Sequence, residues 1–324
     1  MYFQYKTFGV ARLEEDIKKF NFFKTHPNIV NKELAKSYYA KLYFFWTHLH
    51  YCLVTGDSNG AYYYAKEQVD FIEAHPHHIE ENPNTYCVVI HNFLLLTMEL
   101  KKYKEFFRMI SKLKMISVNE NIRPLARLSA FNLELSFYIE VGNFKKATEL
   151  LPEIEAFIKE KPIDNLFNIG NVICNSVMLY FSKGEYNKAL NKINIILNDY
   201  KTYIRQDFLS ILRLMQIAIH FEKKDNSLLP YLIKSYYRFL MNKKMLYKTE
   251  SIFNHFMRTK IKSINTLKEQ TEALKYLKNE IEEAMKDPLE AQLIETFDII
   301  AWLESKITNR SFEEIVREKS GFWV

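Results

Sequence analysis

From residue 11 onward, apolar positions recur along the chain at the spacing of a helix. In 11–25, ARLEEDIKKFNFFKT, Leu13, Ile17 and Phe20 fall on one helical face, and Pro27 follows its end. The pattern predicts a second helix at about 32–54, dense in aromatics (Tyr38, Tyr39, Tyr43, Phe44, Phe45, Trp46). It breaks at 55–60 and a third helix follows at about 61–74. The stretch 75–84, HPHHIEENPN, carries two prolines and separates this pair from the next. Further helix pairs are predicted at 85–100 and 102–116, 124–141 and 143–160, 165–183 and 185–199, and 205–223 and 226–241. Two more follow at 244–264 and 267–286, and at 289–306 and 311–319. Ser311 and Glu314 have the spacing of a capping box at the start of the last helix.

The pairs repeat at a fixed interval. The close-packing position of each second helix is Ala65, Phe106, Ala147, Ala189, Leu229, Ala273 and Ile315, with gaps of 41, 41, 42, 40, 44 and 42 residues. A constant period over this many units means stacked helical hairpins. One hairpin cannot bury both of its faces, so its neighbours supply the missing core.

Two of the turns share a motif. In 137–151, FYIEVGNFKKATELL, and 179–197, LYFSKGEYNKALNKINIIL, an aromatic (Tyr138, Tyr180) ends one helix and glycine (Gly142, Gly184) follows four residues later. A second aromatic (Phe144, Tyr186) and a small alanine (Ala147, Ala189) open the next helix. Glycine takes a positive φ without a Cβ clash. The alanine lets the two helices approach closely. This arrangement resembles the tetratricopeptide repeat. At other turns lysine replaces the glycine (Lys101, Lys224), and Phe106 and Leu229 replace the alanine. The period exceeds the family's ~34 residues and approaches the ~40–47 of HEAT and armadillo repeats. Those alternatives lack the glycine-aromatic-alanine turn, and helices about one turn longer account for the excess. The resemblance implies an all-α, right-handed superhelical solenoid of about seven hairpins. Residues 1–324 would form one array: a terminal helix or cap over 1–31, repeats over 32–286 and a capping hairpin over 287–324.

Composition agrees with helices. Seven glycines and eight prolines in 324 residues are too few for a turn-rich β architecture, while 25 Phe, 21 Tyr and an apolar share of 48% provide a large core. Cys52, Cys87 and Cys174 are far apart, a spacing that fits reduced core thiols and neither a disulfide framework nor a zinc site. The N-terminus has no charged stretch followed by an apolar run, and no apolar run approaches the length of a membrane span. The expected location is the cytoplasm.

Catalytic and cofactor motifs are missing. The segment 56–60 lacks the Walker spacing and its lysine, and Lys66 stands near where a calcium loop needs an acid. His75, His77 and His78 share a loop with Glu80 and Glu81, which reads as solvated; His48 and His50, two residues apart, point away from each other on a helix. No nucleophile-base set assembles from spacing. The chain therefore reads as a non-catalytic scaffold or adaptor without cofactor or metal, whose partner is a protein or peptide.

In tetratricopeptide proteins the first helix of each pair lines a groove that binds peptides. Counting back from the close-packing anchors gives Val88, His91, Leu95 and Glu99 on one first helix, and Ser129, Asn132, Ser136 and Glu140 on the next. The third contributes Asn171, Cys174, Met178 and Ser182, with Asn168 and Asn175 flanking. Asparagine is a poor helix former, and its amide offers both donor and acceptor to a bound backbone. Asn132, Asn171 and Asn175 are therefore expected to contact the partner, with His91, Glu99, Ser136 and Glu140 beside them.

Charge suggests a second surface. The net charge is +6, yet 231–279 alone carries eleven Lys and Arg against three acids. Lys234, Arg238, Lys243, Lys244, Arg258, Lys260 and Lys262, interleaved with Tyr231, Tyr236 and Tyr237, have the composition of a nucleic-acid or acidic-partner surface. A peptide-sensing regulator is a further alternative, and no helix-turn-helix segment accompanies it.

Overall fold

The computed structural model describes residues 1–116, 123–160, 165–225, 227–260, 266–291 and 297–322. Among them the regular structure is helical, with no strand. Three α-helices and a 3₁₀ turn (Lys32–Leu34) precede the first long hairpin: α1 (Tyr2–Phe8), α2 (Glu14–Thr25) and α3 (Pro27–Val30). The hairpin is α4 (Tyr38–Thr55) and α5 (Ser58–Glu73), followed by a short α6 (Pro76–Glu81) inside the predicted loop. Next come α7 (Pro83–Glu99) with α8 (Tyr103–Met115), α9 (Arg123–Glu140) with α10 (Phe144–Glu160), and α11 (Leu166–Ser182) with α12 (Tyr186–Ile195). A π-helical turn, Ile196–Tyr200, extends α12. Then follow α13 (Gln206–Glu222), α14 (Leu229–Lys243), α15 (Lys248–Thr259), α16 (Leu267–Ala284), α17 (Pro288–Ala291), α18 (Ile299–Thr308) and α19 (Phe312–Ser320). The pattern predicts one helix over 289–306; the backbone is non-helical at 297–298, and 292–296 lie outside the described residues. Ser311 and Glu314 form the predicted capping box.

The turns inside five hairpins are built alike. The backbone is left-handed at Gly56, Lys101, Gly142, Gly184 and Lys224, with φ between +54° and +74°. The amide of the next residue donates to the carbonyl five residues earlier: Asp57 to Cys52 (2.9 Å), Lys102 to Thr97 (2.7 Å) and Asn143 to Tyr138 (2.8 Å). Glu185 to Tyr180 (2.8 Å) and Asp225 to His220 (3.0 Å) complete the set. This is the Schellman closure, which satisfies carbonyls that a helix end leaves open. Lys101 and Lys224 thus keep the geometry of the glycine they replace. The close-packing anchors Ala65, Phe106, Ala147 and Ala189 are wholly buried, and Leu229 and Ile315 nearly so. Ala273 is only half-buried, and its neighbour Leu274 takes the core position.

The chain divides into two compact units, residues 1–137 with 153–168, and residues 138–152 with 169–324. In the first, α4, α5, α7 and α8 pack in succession. Three polar ties there, Ser58 with Glu99, Tyr62 with Glu105 and Lys112 with Glu73, join residues about one repeat apart. Ser58 donates to Glu99 and Tyr62 to Glu105, at separations of 41 and 43 residues. Lys112 donates to Glu73 at 2.6 Å, and Tyr86 donates to the same carboxylate at 2.7 Å.

In the second unit, α13 to α16 pack in order, and α16 meets α18, which meets α19. Glu290 accepts from the Lys248 and Thr249 amides (3.0 and 2.9 Å), closing the start of α15 from 41 residues away. The last helices also turn back. Trp302 Nε1 donates to Glu222 at 2.8 Å and Lys306 Nζ at 3.0 Å, while Phe221 meets Trp302 edge-on. The Phe312 ring lies against Phe181 and Phe144, with centroids 5.8 and 6.3 Å apart. The Arg317 backbone lies against Gly142. The final hairpin therefore covers the turn ends of α9–α10, α11–α12 and α13–α14, well beyond its sequence neighbours.

Candidate partner-binding surfaces

Helix α7 is apolar nearly all round, and what it exposes follows from which residues its neighbours take. Val89, Ile90, Phe93, Leu94 and Leu96 are buried. Val88 (44% exposed) and Leu95 (43%) point outward with Glu99 at one end of the same row. These are three of the four positions that the repeat spacing placed on the groove. The fourth, His91, is only partly exposed. Its Nδ1 and the Ser129 hydroxyl share a hydrogen bond of 2.7 Å, and burial lowers its pKa to about 4. The ring is neutral at pH 7 and ties α7 to α9.

On α9 the structure corrects the sequence reading. Ser129 and Asn132 are each 6% exposed, so the Asn132 amide is enclosed within the fold and is not presented to a partner. The cause is that α9 is gripped on more sides than a groove-lining helix, with Ala126, Leu128, Ala130, Phe131, Leu133 and Leu135 also buried. Ser136 is half-buried and Glu140 exposed. Asn171 and Asn175 are half-buried on α11, Asn168 is buried, and Cys174 is enclosed so fully that its thiol pKa rises to about 12. His91, Glu99, Asn132 and Ser136 belong to the first unit, and Glu140, Asn171 and Asn175 to the second.

An outward row that sequence reasoning missed lies on α4. Tyr39 is 53% and Tyr43 60% exposed, and Tyr43 stacks on Trp46 at 6.3 Å. Sequence alone shows this helix only as dense in aromatics, without separating the outward ones from those that pack. The signal that separates them is phase: Leu42, Phe45 and Leu49 form the buried face, and 39 and 43 lie off it.

The basic residues sort by helix. Lys234, Arg238, Lys243 and Lys244 are exposed on α14 or at its end, and Arg258 and Lys260 are exposed at the end of α15. Lys262 lies outside the described residues. On α16, by contrast, Lys275 pairs with Glu272 (2.9 Å), and Lys278 with Glu282 (2.7 Å) and Glu304 (3.3 Å).

The loop histidines stack on aromatics: His78 lies on Tyr38 with ring centroids 3.6 Å apart, and its Nδ1 is 2.8 Å from Glu81. Among the described residues no three His, Cys, Asp or Glu side chains are grouped as metal ligands, and no helix is long and apolar enough to cross a membrane. An open depression of about 460 Å³ is lined by Gly184, Glu185, Tyr186, Asn187, Lys188 and Lys223. Glu185 there holds Lys188 (2.5 Å) and Lys183 (3.0 Å), and hydrogen bonds from these lysines lower its pKa. Lys223 donates to Asn187.

Comparison of the chain with protein-family models, with curated proteins and with solved structures finds no match.

Proposed function

We propose that this all-helical chain is a non-catalytic binding scaffold, a solenoid of helical hairpins resembling tetratricopeptide repeats that holds a peptide segment or protein on its first helices. The observation that carries the reading is the outward row Val88, Leu95 and Glu99 on α7. The row holds two apolar side chains seven residues apart and a carboxylate four residues further on. That spacing suits an amphipathic or extended partner laid along it. Exposed Tyr39 and Tyr43 supply a second apolar row in the same unit. Aromatic and branched side chains kept in water at such positions are typical of contact surfaces.

The test is differential capture. Tagged wild-type protein and a Val88→Asp/Leu95→Asp variant are used to retain partners from an extract of the source cells. Both positions face solvent, so helicity and melting should be unchanged. A partner held by the wild type and lost by the variant is expected. Equal capture by the two proteins would remove α7 as the binding face, whereas loss on Asn132→Ala in a fully folded protein would return the site to α9.

A further inference from the structure

The cations of α14 and the end of α15 stand in a stretch of the chain that is short of acids. Residues 229–260 contain seven Lys and Arg and a single acid, Glu250, which is 1% exposed. Lys234, Arg238, Lys243, Lys244 and Arg258 are exposed and form no ion pair among the described residues. Lysines elsewhere, such as Lys112, Lys278 and Lys306, are held by carboxylates. Glu290, which reaches the start of α15 from 42 residues away, accepts there from two backbone amides. Among the described residues of α14 and α15 no exposed carboxylate stands beside these cations to offset their positive potential.

Its pattern is specific. Ile233, Tyr236 and Leu240 turn into the core, and Tyr231, Lys234, Arg238 and Met241 run along the opposite side at intervals of three or four residues. Tyr231 is 74% exposed, an unusual state for an aromatic, and Ser235 and Asn242 flank the row with polar side chains. Arg258 of α15 lies over the Tyr237 ring of α14 at 5.7 Å, which sets one cation of α15 against that helix.

We propose that this face binds single-stranded nucleic acid. The cations lie one helical turn apart, about 5–6 Å of rise, and follow the backbone phosphates of an extended strand. Tyr231 at the head of the row stacks a base, and Arg238 and Arg258 add planar contacts. An anionic membrane fits less well, because the outward side of α14 has only Tyr231 and Met241 to insert. An acidic polypeptide would use the lysines but give an isolated exposed tyrosine no special part. The proposal uses α14 and α15 alone and is independent of the α7 surface.

The experiment measures binding of a fluorescent 20-nucleotide oligouridine by anisotropy across a salt series. The arms are a duplex of the same length, phosphatidylserine vesicles and polyglutamate. Wild-type protein should bind the single strand with affinity falling steeply in salt, by a slope of about 0.7 per phosphate contacted. Lys234→Glu/Arg238→Glu should weaken binding at least about tenfold and flatten the slope by about 1.4. Tyr231→Ala should weaken it about tenfold while leaving the slope unchanged. All these positions are exposed, and circular dichroism melting confirms that each variant is folded. The proposal is overturned by absence of salt-dependent binding at low salt or by charge reversal without effect. It is equally overturned if vesicles, polyglutamate or duplex bind as well as oligouridine and Tyr231→Ala is neutral.

Discussion

Gly142 and Gly184 hold the same left-handed backbone, φ +69° and +70°, in turns of the same design, but their surroundings differ. A Cβ on Gly142 would fall 2.8 Å from the Arg317 backbone nitrogen, while one on Gly184 would meet nothing within 4 Å. Gly184→Ala should therefore cost only the backbone strain, about 1 kcal/mol. Gly142→Ala must also push α19 away and should cost about 2–3 kcal/mol. Lys224 sits at φ +55° and already bears that strain, so Lys224→Gly should stabilise by about 0.5 kcal/mol after the added freedom of the unfolded glycine is subtracted. Urea denaturation of the three variants checks the order. Equal losses for the two alanine variants would mean that the α19 contact is not maintained in solution.

At the scale of elements, the joint between α7 and α9 carries a titratable group. His91 has a native pKa of about 4, below the ordinary value near 6.5, because burial disfavours its charged form. Below pH 6.5 the unfolded chain takes up a proton that the native ring refuses. Stability should thus decline as pH falls from about 6.5 towards 4, by about 2 kcal/mol at pH 5 from this group. Unfolding measured at pH 7 and pH 5 should show the decline, and His91→Gln should reduce it. A wild-type protein whose stability is level between these values contradicts an enclosed, neutral His91. The same joint shows how far the candidate site was readable. Repeat spacing placed Val88, Leu95 and Glu99 outward, because α7 has neighbours on its other sides only. It failed for Ser129 and Asn132, because the spacing counts positions within a hairpin and does not count how many helices press upon it.

The largest scale is set by the return of α18 and α19 onto the turns of earlier hairpins in the second unit. Phe312 is the centre of that contact, meeting Phe144, Phe181 and Phe297. Phe312→Ala should cost about 2 kcal/mol, less than a fully enclosed phenylalanine because the ring is half-buried. Hydrogen exchange should then accelerate in α11, α13 and α18, with α4, α5 and α7 unaffected. Uniform acceleration in both units would show that they unfold as one body.

The helices and their turns were determined by the chain itself. Each depends on residues close in sequence: apolar spacing of three to four, a left-handed residue at the turn, a small or apolar anchor after it. Lys101 and Lys224 show that this local code tolerates a strained residue while the flanking helices enforce the turn. Tertiary structure alone decided which outward-phased residues remain outward, which cations lack a carboxylate and where the last hairpin rests. Those outcomes depend on groups up to 179 residues apart, such as Ser320 and the Val141 carbonyl, and spacing within a repeat carries no information about them.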